Sequence, residues 1–206
     1  GCTEEVSKFL KIANYYKIPV NIWGGGSGSQ GGALPILGGI HLDTKRLNKV
    51  WKIDTTALTV TAGTGIIMRH LEWEVNKAGY STMHLPASIA CATIGGFLAH
   101  RGTGVLSTKY GKIEDMVMSL EVVTPTGEII NTLPVPRHAS GPDLMMLFLG
   151  SEGTLGIVTK LYLKLLPKPE SSASVLVGYP SLDAALSSMS KVFTAGILPC
   201  AVEFMN

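Results

Sequence analysis

At 206 residues the chain has room for one large domain or two small ones around a substantial apolar core. Hydrophobic residues make up 46% and charged residues 16%, with a mean hydropathy of +0.30, an apolar balance that suggests surface covered by another domain, a subunit or a membrane. The net charge is only +2 and the Lys and Arg residues are scattered rather than striped, which argues against a nucleic-acid partner.

Cys2, Cys91 and Cys200 are an odd number of cysteines at distant spacings with no CxxC, so they read as free thiols of a reducing compartment rather than a disulfide framework or zinc site. No group of His, Asp or Glu has metal-ligand spacing, and the expected metal is none. No run approaches the roughly 18 apolar residues of a membrane span, and no basic stretch leads into an apolar one at the N-terminus. The expected location is therefore cytoplasmic, with a membrane-peripheral position left open by the apolar composition. The chain opens at Gly1, without Met and almost inside a helix, so we expect a fragment with a truncated N-terminus.

In chain order, Thr3-Glu4-Glu5-Val6 opens a helix that Thr3 can cap, with Val6, Phe9, Leu10, Ile12 and Ala13 on its apolar face. It ends near Lys17, and a strand at Ile18 to Ile22 leads into the glycine-dense run from Trp23 to Gly32. Here successive backbone N–H groups can curl around an anion such as a pyrophosphate with few Cβ atoms in the way; the competing reading is a flexible linker. It is not a Rossmann turn, because Pro35 and Gly38-Gly39 follow where that motif opens a helix. Strands are predicted at Gly39 to Asp43, Val50 to Asp54 and Leu58 to Ala62, then a helix from Ile66 to Lys77 stopped by Gly79. A second small-residue segment runs from Pro86 to Gly104, with Thr93 as a helix cap; it suits either tight packing or a second ligand wall.

Met116 to Val123 reads as a strand, turning through Pro125-Thr126-Gly127-Glu128 into Ile129-Ile130 as a hairpin. A short helix at Asp143 to Leu149, capped from Ser140-Gly141-Pro142-Asp143, precedes a third glycine segment, Gly150 to Val158, which enters a strand at Thr159 to Leu165. Pro167 and Pro169 mark a boundary near residue 168. Beyond it come a strand at Ser174 to Tyr179, a helix at Leu182 to Ala195 and a strand at Ala201 to Met205. Three glycine segments, each at the edge of a strand or helix, favour the walls of one cofactor site over a linker.

These segments carry a resemblance. Gly24-Gly25-Gly26-Ser27, Pro86-Ala87-Ser88 with Thr93-Ile94-Gly95-Gly96, Lys109-Tyr110-Gly111 with Glu114-Asp115, and Gly150-Ser151-Glu152-Gly153-Thr154-Leu155-Gly156-Ile157-Val158 are similar to the FAD-binding domain of the vanillyl-alcohol oxidase and p-cresol methylhydroxylase family. The likeness runs through residue 168. It implies an α+β fold of the PCMH type, two small α/β subdomains with FAD between them over residues 1–168, and the start of a substrate or cap domain over 169–206.

It also implies a division of labour. Trp23 and Gly24, Gly25, Gly26, Ser27, Gly28 and Ser29 would wrap the pyrophosphate. Pro86, Ala87, Ser88, Ala92, Thr93, Gly95 and Gly96, with His100, Arg101, Gly102 and Thr103, would line the isoalloxazine and ribityl side. Glu152, Gly153, Thr154, Leu155, Gly156, Ile157 and Val158 would meet the adenosine by backbone. Members that bind flavin covalently carry a His just after the paired glycines of the first loop; Gly26-Ser27 stands there, so non-covalent FAD is expected.

Two branches compete. The glycolate oxidase and D-lactate dehydrogenase FAD subunits share Lys109-Tyr110-Gly111, the Gly150 signature and Gly196-Ile197-Leu198-Pro199 with Glu203, and would pass a hydride from a 2-hydroxy acid to flavin. Alkyldihydroxyacetonephosphate synthase shares Gly79-Tyr80-Ser81-Thr82 with His84 and Pro86, and Pro136-Arg137 with Ser140-Gly141-Pro142-Asp143, which favours it; it would act on an acyl-dihydroxyacetone phosphate without net redox. Ala87 and Gly102-Thr103 depart from that branch's pattern. The rival classes are a truncated FAD-binding module that needs a second domain or chain, and a nucleotide-binding interaction domain without redox chemistry. A small-molecule substrate is the expected partner, with a homo-oligomer left open.

The polar candidates are weighed against ordinary roles. Arg137 suits a phosphate or carboxylate substrate, against a surface loop arginine. His84 and His100 flank the second segment, where structural hydrogen bonding is the commoner role. Glu152 reads as a tie for its loop, Asp115 as a cap, Trp23 and Trp51 as packing residues, and Ser27 has no triad partner.

Overall fold

The structure, a computed structural model, describes residues 1–135 and 137–205. Its N-terminal unit starts with α1 (Thr3–Tyr15), which buries Val6, Leu10 and Ala13. The cap is Cys2 rather than the expected Thr3: the Cys2 N–H donates to the Glu5 carboxylate at 3.3 Å, while Thr3 lies inside the first turn. The strands β1 (Val20–Trp23) and β2 (Ile40–Asp43) pair in parallel, Val20 opposite Ile40 and Trp23 opposite Asp43. Parallel neighbours need a long crossover, and residues 24–39, the first glycine segment and its sequel, make it without a helix.

The larger unit is a five-stranded sheet, antiparallel throughout. In spatial order it runs β3 (Val50–Asp54), β4 (Thr59–Gly63), β8 (Ile157–Lys164), β6 (Val117–Val123) and β7 (Ile129–Asn131). β8 alternates buried and half-buried residues, as expected of a strand with one face on a core. The helix α2 (Met68–Lys77) contributes fully buried Met68, Leu71 and Val75 to the same core as Leu120, Leu161 and Leu163. It starts two residues after the expected Ile66, because Ile67 is held in an antiparallel bridge with Thr93.

The short β5 (Tyr80–Ser81) pairs with β9 (Leu166–Pro167), and α3 (Ile94–Ala99), α4 (Ser107–Tyr110) and α5 (Ile113–Met116) cross from the second glycine segment into β6. The helix α6 (Leu144–Phe148) is capped by Asp143, whose carboxylate accepts from the Met145 N–H at 3.1 Å. A mixed helix and strand fold with two α/β units is thus what the chain adopts.

The C-terminal stretch departs from expectation. Residues 174–179 form no strand, and Val175 and Leu176 are 85% and 87% exposed. Residues 201–205 are likewise without regular structure. A β-run becomes a strand only when a neighbour takes its N–H and C=O groups, and neither run pairs with another strand among the described residues. The helix α7 (Leu182–Thr194) forms as predicted, with the Ser181 hydroxyl accepting from the Ala184 N–H at 3.3 Å, but buries only Ala185.

A buried carboxylate locks α1 to the sheet. Glu121 on β6 accepts from Thr3 Oγ1 at 2.5 Å, Thr159 Oγ1 at 3.1 Å and Lys160 Nζ at 2.9 Å. Burial alone would raise its pKa; the hydrogen bonds from Thr3 and Lys160 outweigh that and hold it below the usual 4.5. Glu121→Gln is expected to cost on the order of 1–3 kcal/mol in urea unfolding at pH 7. A carboxylate with a depressed folded pKa stabilises above its unfolded pKa and loses that contribution as pH falls through the folded value. The gap between variant and parent should therefore close as the pH falls below 4.5.

Candidate functional site: the glycine-walled cleft

The first glycine segment leaves β1 and lies directly on the second. A Cβ added at Gly25 would sit 2.0 Å from the Cys91 carbonyl oxygen and 2.8 Å from Ala92 Cα, so only glycine allows these two backbones to touch. Gly26 turns at φ +64°, the left-handed region, with the Trp23 ring closing the space where a side chain would go. On the facing segment Thr93 caps α3, its hydroxyl accepting from the Gly96 N–H at 3.3 Å.

The third segment is sewn to the end of α3. Gly150 N–H donates to Leu98 C=O at 3.2 Å, and Glu152 N–H to Ala99 C=O at 3.0 Å. Arg101 stacks its aliphatic stem against Gly150, where a Cβ would lie 2.6 Å from Arg101 Cδ. Its Nε donates to the Glu114 carboxylate at 2.5 Å. That bond holds the Glu114 carboxyl below its usual value and raises the guanidinium's.

The three segments enclose one cleft of about 800 Å³. Of the residues expected to hold FAD, Gly24–Ser29, Pro86–Ser88, Ala92, Thr93, Gly95, Gly96, His100–Thr103, Glu152, Gly153 and Gly156–Val158 line it. Three do not. Trp23 stands behind the loop, packed on His41 with ring centroids 4.9 Å apart. Thr154 faces the neighbouring groove against α1, and Leu155 points to solvent, 42% exposed, both lying in the turn that precedes β8.

Sequence reading missed Thr44, Thr64, Phe97 and Phe148, which also line the cleft. The Gly63-Thr64-Gly65 run was a usable signal: it is a fourth glycine segment, and Thr64 Oγ1 donates to Val158 C=O at 2.6 Å, tying β4 to the third segment.

Arg137 is absent from the lining; its backbone is left-handed at φ 53° in an exposed loop, and Pro136 beside it falls outside the described residues. His84 is not in the lining either. It is 1% exposed, and neither ring nitrogen has a hydrogen-bond partner among the described residues. It meets Phe97 edge-on at 5.1 Å, and Phe97 in turn lies 5.1 Å from His100 on the cleft wall. Burial, with a smaller contribution from His100, pushes the His84 pKa down to about 4.

The cleft has the size of a small-molecule cofactor site. Its volume lies within the ~300–1,000 Å³ of small-molecule sites. At Gly28, which lines it, an added Cβ would meet no protein atom within 4 Å. Among the described residues, Arg101 and Glu152 are the only Lys, Arg, Asp or Glu side chains in the lining, and the first loop presents backbone without a charged side chain.

A cleft walled by backbone, between a parallel strand pair crossed over by a glycine loop and an antiparallel sheet, defines a dinucleotide-holding domain outside the Rossmann class. The chain belongs to the FAD binding domain family, which it matches over residues 1–133. FAD is accordingly the cofactor of the domain. The chain is 38% identical over 205 residues to glycolate oxidase subunit GlcD of Bacillus subtilis, covering 99% of this chain and 44% of that protein. It is 36% identical over 167 residues to alkyldihydroxyacetonephosphate synthase of Caenorhabditis elegans, covering 81% and 28% respectively. A solved structure of alkyldihydroxyacetonephosphate synthase superposes with a TM-score of 0.84 at 30% identity, covering 97% of this chain and 37% of the other. The chain thus spans less than half the length of these relatives.

Among the described residues no helix is long and apolar enough to cross a membrane, and no three His, Cys, Asp or Glu side chains gather in a metal-binding group. The cysteines are free and exposed.

Proposed function

We propose that this chain is the FAD-holding part of a FAD-dependent enzyme, with the cofactor bound non-covalently. The observation that carries this reading is the convergence of three glycine segments on one cleft whose first wall has no charged side chain among the described residues. In this reading the first loop holds the pyrophosphate, residues 86–103 hold the ring and ribityl side, and residues 152–158 hold the adenosine end. Ser27, where covalent relatives carry a His, offers no ring nitrogen for attachment. Bound FAD would supply a hydride acceptor.

The chain's own residues orient the cofactor and exclude water from its buried side, where Phe97, Leu98 and Phe148 form an apolar wall. Residues 169–206 are read as the start of a substrate domain, and the compartment as cytoplasmic. The first reading of the chemistry is the alkyldihydroxyacetonephosphate synthase type, on an acyl-dihydroxyacetone phosphate, supported by Ser140-Gly141-Pro142-Asp143 and the structural likeness. Oxidation of a 2-hydroxy acid is the second, favoured by the 38% identity to a glycolate oxidase subunit across 99% of the chain.

Titration of the purified chain with FAD is expected to give a bound flavin band near ~450 nm that co-elutes with protein in gel filtration and is released on denaturation in trichloroacetic acid. No co-eluting band would sink the flavin reading, and flavin retained by the denatured chain would sink its non-covalent form. Anaerobic bleaching of the full-length holoprotein by D-lactate or glycolate would decide for the second chemistry.

A further inference from the structure

Glu72 on α2 does not line the cleft, yet both oxygens of its carboxylate are engaged. One accepts from Asn76 Nδ2 at 2.7 Å and from Ser81 Oγ; the other accepts from the Thr82 N–H at 3.1 Å and Thr82 Oγ1 at 2.8 Å. The hydroxyls pass the constraint along the chain: Ser81 Oγ accepts from the Met83 N–H at 3.0 Å and Thr82 Oγ1 from the His84 N–H at 3.4 Å. Ser81 to His84 are all buried, and Met83 is held left-handed at φ 53°. A bulky side chain keeps that backbone only where its surroundings over-determine it.

The other end of this segment is the cleft. Leu85 C=O accepts from the Val105 N–H at 2.8 Å, and Pro86, Ala87 and Ser88 are part of the wall. His84 sits edge-on against Phe97, itself a wall residue. The chemistry at the anchor calls for a carboxylate: an amide hydrogen, two hydroxyls and one backbone N–H converge on it, all donors. A glutamine would turn an NH₂ group toward them.

We propose that Glu72 is a positioning residue for the flavin site, shaping the 86–88 wall through Ser81, Thr82 and the left-handed Met83 before the cofactor arrives. The inference rests on the FAD reading of the cleft. Glue between α2 and β5 alone would change the melting temperature and leave the bound flavin as it was.

The test is FAD titration, followed by flavin fluorescence and the visible spectrum, of the parent chain, Glu72→Gln, Thr82→Val and Thr82→Ser, each far below its own unfolding midpoint. Glu72→Gln and Thr82→Val are expected to weaken FAD binding at least tenfold and to shift or blur the bound flavin band. Thr82→Ser keeps the hydroxyl and should bind as the parent does. If Glu72→Gln does not fold, the Thr82 pair carries the test alone: equal affinity and spectra for the Val and Ser variants overturn the proposal. So do parental affinity and spectrum in a folded Glu72→Gln, whatever its melting temperature. A parent chain that takes up no FAD overturns the flavin reading itself, a result distinct from both.

Discussion

Acidification from pH 7 to pH 4 is expected to cost the domain about 3 kcal/mol through one side chain, His84. The imidazole is fully buried beside Phe97, its two nitrogens lack partners among the described residues, and its folded pKa lies at about 4 against an ordinary 6.5. Above pH 6.5 the group is neutral in both states and contributes no pH dependence. Between 6.5 and 4 the unfolded chain takes up a proton that the native state refuses, so stability falls as pH falls through that window. Below 4 both states are protonated and the loss levels off. His84→Leu should remove this component, leaving a flatter profile of urea midpoint against pH from 7 to 4. A parent and a variant with parallel profiles would show that the imidazole is protonated inside the fold. The Glu121 network adds its own loss at lower pH, and Glu121→Gln separates the two.

Gly25→Ala is expected to be the most damaging single methyl in the cleft. The new Cβ would lie 2.0 Å from a carbonyl oxygen and 2.8 Å from a Cα, both backbone atoms that cannot rotate away. Either the first loop or residues 91–92 must move, with a stability cost of about 1–3 kcal/mol typical of overpacking. If the first loop holds the pyrophosphate as proposed, displacing its N–H groups should also weaken FAD by about a hundredfold, equivalent to ~2.7 kcal/mol. Gly28→Ala is the informative partner. Its Cβ meets no protein atom, and its backbone is not left-handed, so the fold should be unharmed. Weaker FAD binding there without loss of thermal stability would mark the space beside Gly28 as occupied by cofactor. Gly25→Ala binding FAD as the parent does would show that the loop is not the cradle.

Much of this site was legible because its chemistry is carried by composition. Gly24 to Gly32 can be read as an anion cradle from side chains that are missing, and Gly150 to Val158 as a backbone wall by the same logic. The hairpin from Val117 to Asn131 followed from its turn residues, and α1 and α7 from apolar spacing. Thr3 was mistaken for a cap because a helix start is ambiguous by one residue until the tertiary partner is known; its hydroxyl was already committed to Glu121. The run at 174–179 has the β-branched and apolar content of a strand but no neighbour to pair with. Arg137, chosen for its charge, stands outside the cleft, while Arg101, two residues past the end of α3, stands in it with a carboxylate fixing its Nε.

By itself the sequence determined local matters: where the backbone must be glycine and which faces are apolar. These depend on the intrinsic geometry of residues a few positions apart. Only the tertiary structure decided that residues 25 and 91, or 101 and 150, touch, that Trp23, Thr154 and Leu155 turn away from the cleft, and that Glu72 anchors Ser81 and Thr82 without lining it. Such facts depend on contacts between residues distant in the chain, where packing and the satisfaction of buried polar groups override local preference.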